Sequence, residues 1–259
     1  MGVPALQQEF LDDVLPRIVA DSRVRAVALS GSLAHGEPDQ YSDVDLVIAV
    51  PDADHGTVMA ERLDLIASWT DLVIGFTGEH VGEPRLIVSL VGPPLLHVDV
   101  TFLPESAFAQ ARHRLRILHG EANFDSADAP RPVDPRPFDA QWAEDRFWVW
   151  IHYAATKLAR GELFEVLDTL AALRSLVLGP LAALRAHAEP RGVRRLETIA
   201  PQDALALRDT VSGYDGREAG EALFATIALY RNWRPDAVRR NPAEELAEDF
   251  LCDVIAALP

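Results

Sequence analysis

The N-terminal part of the chain alternates between helical and strand-like patterns of apolar side chains. Apolar residues recur at helical spacing over residues 5–20 and 54–69, which predicts two helices. Short runs rich in β-branched residues predict strands at 24–30, 43–50, 71–76, 85–91 and 95–103. This mixture predicts a layered domain in which helices flank a mixed β-sheet.

The C-terminal part has a helical pattern almost throughout. Helices are predicted at 139–160, 162–187, 203–211, 216–233 and 243–258. A break is expected at Gly179–Pro180, because proline interrupts the helical hydrogen-bond ladder. The first of these helices has one apolar stripe, formed by Phe147, Ile151, Ala154 and Leu158. The fold class is therefore expected to be α+β, with an N-terminal sheet domain followed by a C-terminal helical bundle.

A proline-rich segment separates the two patterns. The segment contains four prolines, which disfavour both a helix and a central strand. They are Pro130, Pro132, Pro135 and Pro137. We therefore predict a first domain over residues 1–126, a linker over 127–138 and a helical domain over 139–259.

Composition narrows the classes of partner. The 259 residues are 49% hydrophobic, enough to build a core, and carry a formal net charge of -16. Binding to a nucleic-acid backbone is disfavoured, because it requires clustered basic residues, and a small neutral or cationic partner is favoured. The single cysteine, Cys252, excludes an intrachain disulfide. The N-terminus lacks the features of a signal peptide and no apolar run reaches the length of a membrane span, which together indicate a cytoplasmic protein.

Two aspartates stand at the beginning of the strand-like run 43–50. Side chains at i and i+2 of a strand point to the same face, so Asp43 and Asp45 are expected to lie side by side. Two carboxylates at such a short distance repel each other unless a proton or a cation lies between them. Magnesium prefers oxygen ligands and shares its coordination shell with substrate phosphates, so this pair predicts a magnesium site.

A third aspartate and a Gly-Ser pair complete the candidate chemistry. Asp99 lies between Val98 and Val100 on a predicted central strand, where an aspartate is disfavoured by propensity and by desolvation. Its presence would be explained if Asp99 bound the same pair of metal ions as Asp43 and Asp45. Gly31 and Ser32 follow the first predicted strand and offer a close backbone approach, N–H groups and a hydroxyl to a pyrophosphate.

Gly31-Ser32, ten intervening residues and Asp43-x-Asp45, with Asp99 on a later strand, resemble the DNA polymerase β-type nucleotidyltransferase superfamily over roughly residues 24–103. The resemblance implies that the three aspartates bind two Mg²⁺ ions and that Gly31 and Ser32 hold the phosphates of ATP or another NTP. It also implies an in-line displacement at the α-phosphate. Within the superfamily, the acidic charge and the helical second half make the chain most similar to the antibiotic (aminoglycoside or lincosamide) nucleotidyltransferases. The implied reaction moves AMP to a hydroxyl of a small, cationic acceptor across a cleft between the two domains.

Other interpretations of the same residues stay open. Asp43 and Asp45 also fit a solvated strand edge, and Asp99 fits a strand end. A regulatory or antitoxin-type nucleotidyltransferase that modifies or binds a protein partner is an alternative function, which the long helical half disfavours. Nucleic-acid tailing is disfavoured by the acidic charge. The sequence leaves the oligomeric state open.

Lys157 is the one lysine of the chain. It belongs to a basic and aromatic stripe beside the apolar one, together with Arg146, Trp150, Tyr153 and Arg160. Such a stripe can face a triphosphate and a base, and we predict that Lys157 binds phosphate. A solvent-exposed helix face with an incidental lysine is the alternative.

Acidic residues begin the next predicted helix, and they are Glu162, Glu165 and Asp168. Their default explanation is the favourable interaction of acids with the N-terminal end of a helix. One of them could instead act as the general base for an acceptor hydroxyl. The histidines, His97 among them, lack metal-ligand spacing and receive no role.

Overall fold

The computed structural model describes residues 2–36, 38–120 and 138–258. The chain divides into two compact units, Met1–Val133 and Asp134–Pro259. The predicted linker 127–138 lies outside the described residues except for its last residue, Phe138.

The first unit contains one mixed β-sheet of six strands among the described residues. The strands are β1 Ala26–Leu29, β2 Val44–Val50, β3 Leu72–Gly78, β4 Glu83–Val91, β5 Leu96–Pro104 and β6 Arg116–Gly120. Their order across the sheet is β3-β4-β5-β2-β1-β6. Only β2 and β5 pair in parallel, and the other neighbours are antiparallel. The five predicted strands are present, and β6 is an addition whose short sequence has no clear alternation.

The helices of this unit cover the two faces of the sheet unequally. They are α1 Ala5–Val19, α2 Gly31–His35, α3 His55–Trp69 and α4 Glu105–Ala111. Apolar residues of α1 and α3, such as Val14 and Ile66, share a core with the inward residues of the strands, such as Val98. On the opposite face Phe108 of α4 packs with Ala28 and the small residues of β1 and β2. The cluster around Phe108 therefore covers the part of this sheet face that β1 and β2 form.

The second unit is helical, as predicted. Its helices are α5 Ala140–Ala159, α6 Leu163–Leu173, α7 Gly179–Arg185, α8 Leu196–Ile199, α9 Pro201–Leu207, α10 Gly216–Trp233 and α11 Glu244–Ala256. The side chain of Asp139 caps α5 by accepting from Trp142 N–H, a common N-terminal arrangement. The predicted apolar stripe of α5 is buried in the core of this unit. The α+β fold class predicted from the sequence is confirmed.

The predicted helix break at Gly179–Pro180 is wrong. A π-helical turn, Arg174–Leu178, connects α6 to α7, and the N–H of Gly179 donates to the carbonyl of Arg174, five residues back. Proline lacks an N–H and its ring crowds the carbonyl four residues earlier. A widened turn directly before Pro180 relieves that crowding, so the helix continues.

One expectation about apolar length also needs correction. The π-helical turn joins α6 and α7 into a helical stretch, Leu163–Arg185, of 23 residues. By length and composition this stretch could cross a membrane, whereas no such segment was expected from the sequence. Its most apolar window is 56% buried within the structure.

A buried ion network connects α5, α10 and α11. Glu144 is fully buried and accepts hydrogen bonds from Tyr230 Oη at 2.6 Å and from Arg234 Nη1 at 3.1 Å. The same guanidinium donates to Glu244 Oε2 at 2.8 Å. Buried carboxylates are tolerated when they are paired and hydrogen-bonded in this way.

Candidate active site

Asp45 and Asp99 are register partners on the two neighbouring parallel strands at the centre of the sheet. Strands in a sheet lie about 4.8 Å apart and paired residues project to the same face, so the two side chains are neighbours. Asp43 lies directly before Val44, the first residue of β2. The backbone positions of the three predicted carboxylates are therefore close together in the fold.

The pKa of Asp99 is raised, chiefly because burial disfavours its charged form. His97 acts in the opposite direction, and the negative charge of Asp43 raises the pKa of Asp99 further. Asp43, directly before β2, and Asp99, on β5, thus interact electrostatically. A divalent cation between Asp43 and Asp99 would remove the repulsion between their negative charges.

Gly31 lies against Asp45. Its φ is +59°, and a Cβ at this position would lie 1.9 Å from Asp45 Oδ2. The neighbouring N–H of Ser30 donates to the carbonyl of Asp45 at 2.9 Å. Glycine is therefore required here both by the backbone conformation and by the approach of the carboxylate.

Ser32 carries a buried hydroxyl without a hydrogen bond in the described part of the chain. Its Oγ finds no hydrogen-bond partner among residues 2–36, 38–120 and 138–258. Buried polar atoms are nearly always paired, and an exception calls for an explanation such as a ligand. A phosphate oxygen would supply the missing partner, in line with the role predicted for the Gly-Ser pair.

Gln7 is a residue of this site that we did not predict. It is 1% exposed, and its Nε2 donates to the carbonyls of Ser42, at 2.7 Å, and Gln40, at 3.3 Å. These bonds tie α1 to the segment that immediately precedes Asp43. A sequence signal existed, because Gln7 is a polar residue in the buried helical stripe of Leu11.

His97 also contacts the site, although no role was assigned to it. Its Nε2 lies 2.9 Å from Asp99 Oδ1. The two residues are two positions apart on β5, so they share a face of the sheet. That spacing was visible in the sequence, but a search for metal-ligand motifs does not detect it.

Oxygen donors of the kind that magnesium prefers are present in Asp43, Asp45 and Asp99. Within residues 2–36, 38–120 and 138–258, however, no group of three or more His, Cys, Asp or Glu side chains already forms a metal site. One oxygen of Asp99 lies 2.9 Å from His97 Nε2. The donor chemistry and the strand register fit magnesium.

Lys157 lies on α5 of the second unit, where it contacts Glu162. This ion pair raises the pKa of Lys157 and lowers that of Glu162. Tyr153 Oη donates to Glu165 Oε2 at 2.8 Å. The side chain of Glu162, at the N-terminus of α6, makes no capping hydrogen bond. Phosphate binding by Lys157 stays a prediction.

A comparison with protein-family models identifies the class of the first unit. Residues 11–88 match the model of the nucleotidyltransferase domain. This range includes Gly31, Ser32, Asp43 and Asp45 and ends before Asp99. The nucleotidyltransferase domain predicted from the Gly-Ser and Asp-x-Asp motifs is confirmed over residues 11–88, and with it the class of enzyme, a nucleotidyltransferase.

The chain is also similar to solved structures of low sequence identity. An aminoglycoside 6-adenyltransferase from Bacillus subtilis is 14% identical, with 95% of this chain and 98% of that chain covered and a TM-score of 0.40. A nucleotidyltransferase-like protein from Exiguobacterium sibiricum is 11% identical, with 87% and 75% covered and a TM-score of 0.36. A spectinomycin adenyltransferase from Enterococcus faecialis, solved with ATP and spectinomycin, is 10% identical, with 96% and 98% covered and a TM-score of 0.33. No curated protein sequence matches the chain.

Proposed function

We propose that this protein transfers AMP from ATP to a hydroxyl of a small, cationic acceptor. The observation that carries the proposal is the register pairing of Asp45 with Asp99 beside Gly31. It occurs in a chain whose residues 11–88 match a nucleotidyltransferase domain. A carboxylate pair on adjacent strands, next to a glycine that admits close approach, suits the binding of a nucleoside triphosphate with its metal.

Each residue of the site has a proposed task. Asp43, Asp45 and Asp99 would hold two magnesium ions, which when bound stabilise the entering and departing oxygens of the displacement. Gly31 leaves space at Asp45, and the hydroxyl of Ser32 donates to a phosphate oxygen. Holding donor and acceptor in line is the main contribution of a protein to phosphoryl-type transfer.

The charge of the chain supports the choice of acceptor class. A formal net charge of -16 attracts a cationic small molecule and repels the phosphate backbone of a nucleic acid. Lys157 remains a candidate phosphate contact within this proposal, in exchange for its present pairing with Glu162.

The test is incubation of the full chain with Mg²⁺ and either ATP or GTP, against a panel of aminoglycosides, lincosamides and simple polyols. The products are read by mass spectrometry. We expect one acceptor to gain the mass of AMP, and Lys157→Met to raise the KM for ATP if Lys157 contacts phosphate. Absence of any nucleotidylated product across the panel, together with stable co-purification of a protein partner, would contradict the small-molecule proposal.

A further inference from the structure

The face of the sheet that bears the candidate carboxylates continues as an apolar surface. Asp99 on β5 pairs with Val88 on β4, and Val88 pairs with Phe76 on β3. Paired residues of adjacent strands project to the same face. One cross-strand row therefore leads from the carboxylate Asp99, through Val88, to the aromatic ring of Phe76 at the sheet edge.

A second row runs parallel to the first. His97 on β5 pairs with Leu90 on β4, and Leu90 pairs with Ile74 on β3. We call the four apolar residues of these rows the apolar shelf: Ile74, Phe76, Val88 and Leu90. The shelf thus begins at His97 and Asp99 and extends to β3, the edge strand.

The shelf is open to solvent. Phe76 is 52% exposed, Ile74 57% and Leu90 36%, whereas the alternate residues of β4, Ile87 and Val91, are buried on the opposite face. The residues packed with Phe108 of α4 on the carboxylate face belong to β1, β2 and the end of β5, not to β3 or β4. A contiguous exposed apolar patch beside a row of carboxylates is typical of a binding surface.

The dimensions of the shelf suit a small molecule. Two strand spacings of about 4.8 Å separate the positions of Asp99 and Phe76, a span of about 10 Å. At the far end the rings of Phe76 and His80 lie with their centroids 5.5 Å apart and their planes inclined by 50°.

We propose that the apolar shelf binds the apolar part of the acceptor while its reacting hydroxyl lies at Asp99. The inference rests on the proposed function and refines it. The acceptor is a hydroxylated small molecule with a hydrocarbon or aromatic part that reaches to about 10 Å from the reacting hydroxyl. A wholly polar, polycationic sugar would leave the exposed side chains of Ile74, Phe76 and Leu90 in water, whereas an amphipathic acceptor covers them.

The experiment measures binding by isothermal titration calorimetry, with the full chain, Mg²⁺ and α,β-methylene-ATP present. Apolar ligands are phenyl and octyl glucosides and a lincosamide, and their polar comparators are methyl glucoside and an aminoglycoside. Variants Leu90→Ser and Phe76→Ser remove shelf side chains. Leu95→Ser is the matched control, because Leu95 is a leucine that is 63% exposed and lies outside the shelf.

We expect an apolar ligand to bind, and both shelf variants to weaken that binding about tenfold while the Leu95→Ser variant binds as the wild type does. Binding that both shelf variants leave unchanged, or no binding of any apolar ligand, overturns the inference. The inference is also overturned if sedimentation shows that the wild type is a dimer and that Phe76→Ser is a monomer, because a second copy of the chain would then cover the shelf. Nucleotide transfer that is insensitive to the shelf variants refutes this inference alone, and shelf-dependent binding without transfer refutes the proposed function alone.

Discussion

Gly31 and Asp45 lie so close together that a Cβ on residue 31 would fall 1.9 Å from Asp45 Oδ2. The contact joins the first residue of α2 to the second residue of β2, and the N–H of Ser30 reinforces it by donating to the carbonyl of Asp45. The motif residues Gly31 and Asp45, which are separated along the chain, thereby form one surface. A phosphate bound at Gly31 would be adjacent to a metal bound at Asp45.

Replacement of Gly31 by alanine should destabilise the fold and abolish transfer. Any L-residue at φ +59° is strained by about 1–2 kcal/mol, and the added methyl also collides with the Asp45 carboxylate. Gly82→Ala is the matched control, since Gly82 has φ +77° but nothing within 4 Å of its Cβ position. Urea unfolding should show a larger loss for Gly31→Ala. Equal losses in the two variants would contradict the close contact.

Ser32→Ala should weaken ATP binding without lowering stability. The hydroxyl has no partner among the residues that the structure describes, so its removal costs none of the hydrogen bonds seen there. Ser89→Ala is the opposite case, because Ser89 Oγ is buried and donates to the carbonyl of Val98 at 2.6 Å. That variant should lose about 1 kcal/mol of unfolding free energy and keep its KM for ATP. An unchanged KM for ATP in Ser32→Ala would exclude the phosphate contact.

Gln7→Met should raise the Mg²⁺ concentration required for half-maximal activity. The substitution preserves side-chain size but removes the donor that holds Ser42 and Gln40, next to Asp43. A loss of about 1 kcal/mol in unfolding free energy is expected for bonds of this type. Gln8→Met serves as the control, because Gln8 is on the same helix and donates to the exposed Asp12. A Mg²⁺ dependence identical to that of the wild type would show that Gln7 does not position Asp43.

Glu244 should stabilise the second unit at neutral pH and cease to do so in acid. Burial raises its pKa, but the hydrogen bonds and charges of Arg234 and Arg231 outweigh burial, and the net pKa is lowered. A carboxylate whose pKa is depressed in the folded state contributes stability above its unfolded pKa, about 4.3, and loses it as the pH falls through the folded value. The stability difference between wild type and Glu244→Gln should therefore be large at pH 7 and shrink at pH 3.

Glu245→Gln is the control for that pH series, because Glu245 is exposed on the same turn of α11. It should show no comparable difference at either pH. A Glu244→Gln effect that stays constant, or grows, in acid would contradict the role of the ionised carboxylate.

Much of the fold was predictable because apolar periodicity is strong in the core elements. Strands β1 to β5, and long helices such as α5 and α10, are visible as patterns of 2.0 and 3.6 residues. The short elements α2, α4 and β6 were not predicted, since a few residues carry too little periodicity. The π-helical turn before Pro180 was missed because it depends on how the whole helix packs.

The candidate site was predictable only in part. Asp43, Asp45 and Asp99 stood out because charged residues are unusual in apolar strands. Their pairing required the strand order, and it is this order that places Asp99 beside Asp45, although β3 and β4 intervene in the sequence. Gln7, in the buried stripe of α1, and His97, two residues from Asp99, had local signals in the sequence. The apolar shelf depends instead on the same long-range register, which no local pattern encodes.

The most direct test of the account is the rate of nucleotide transfer from labelled ATP by Asp45→Asn and Asp99→Asn, with Asp64→Asn as the control. Asparagine keeps the size of the side chain and removes the charge that a magnesium ion requires. We predict that both site variants remain folded and lose transfer by at least about a hundredfold, while Asp64→Asn, exposed on α3, keeps the wild-type rate. Transfer at the wild-type rate by either site variant would contradict the shared metal site.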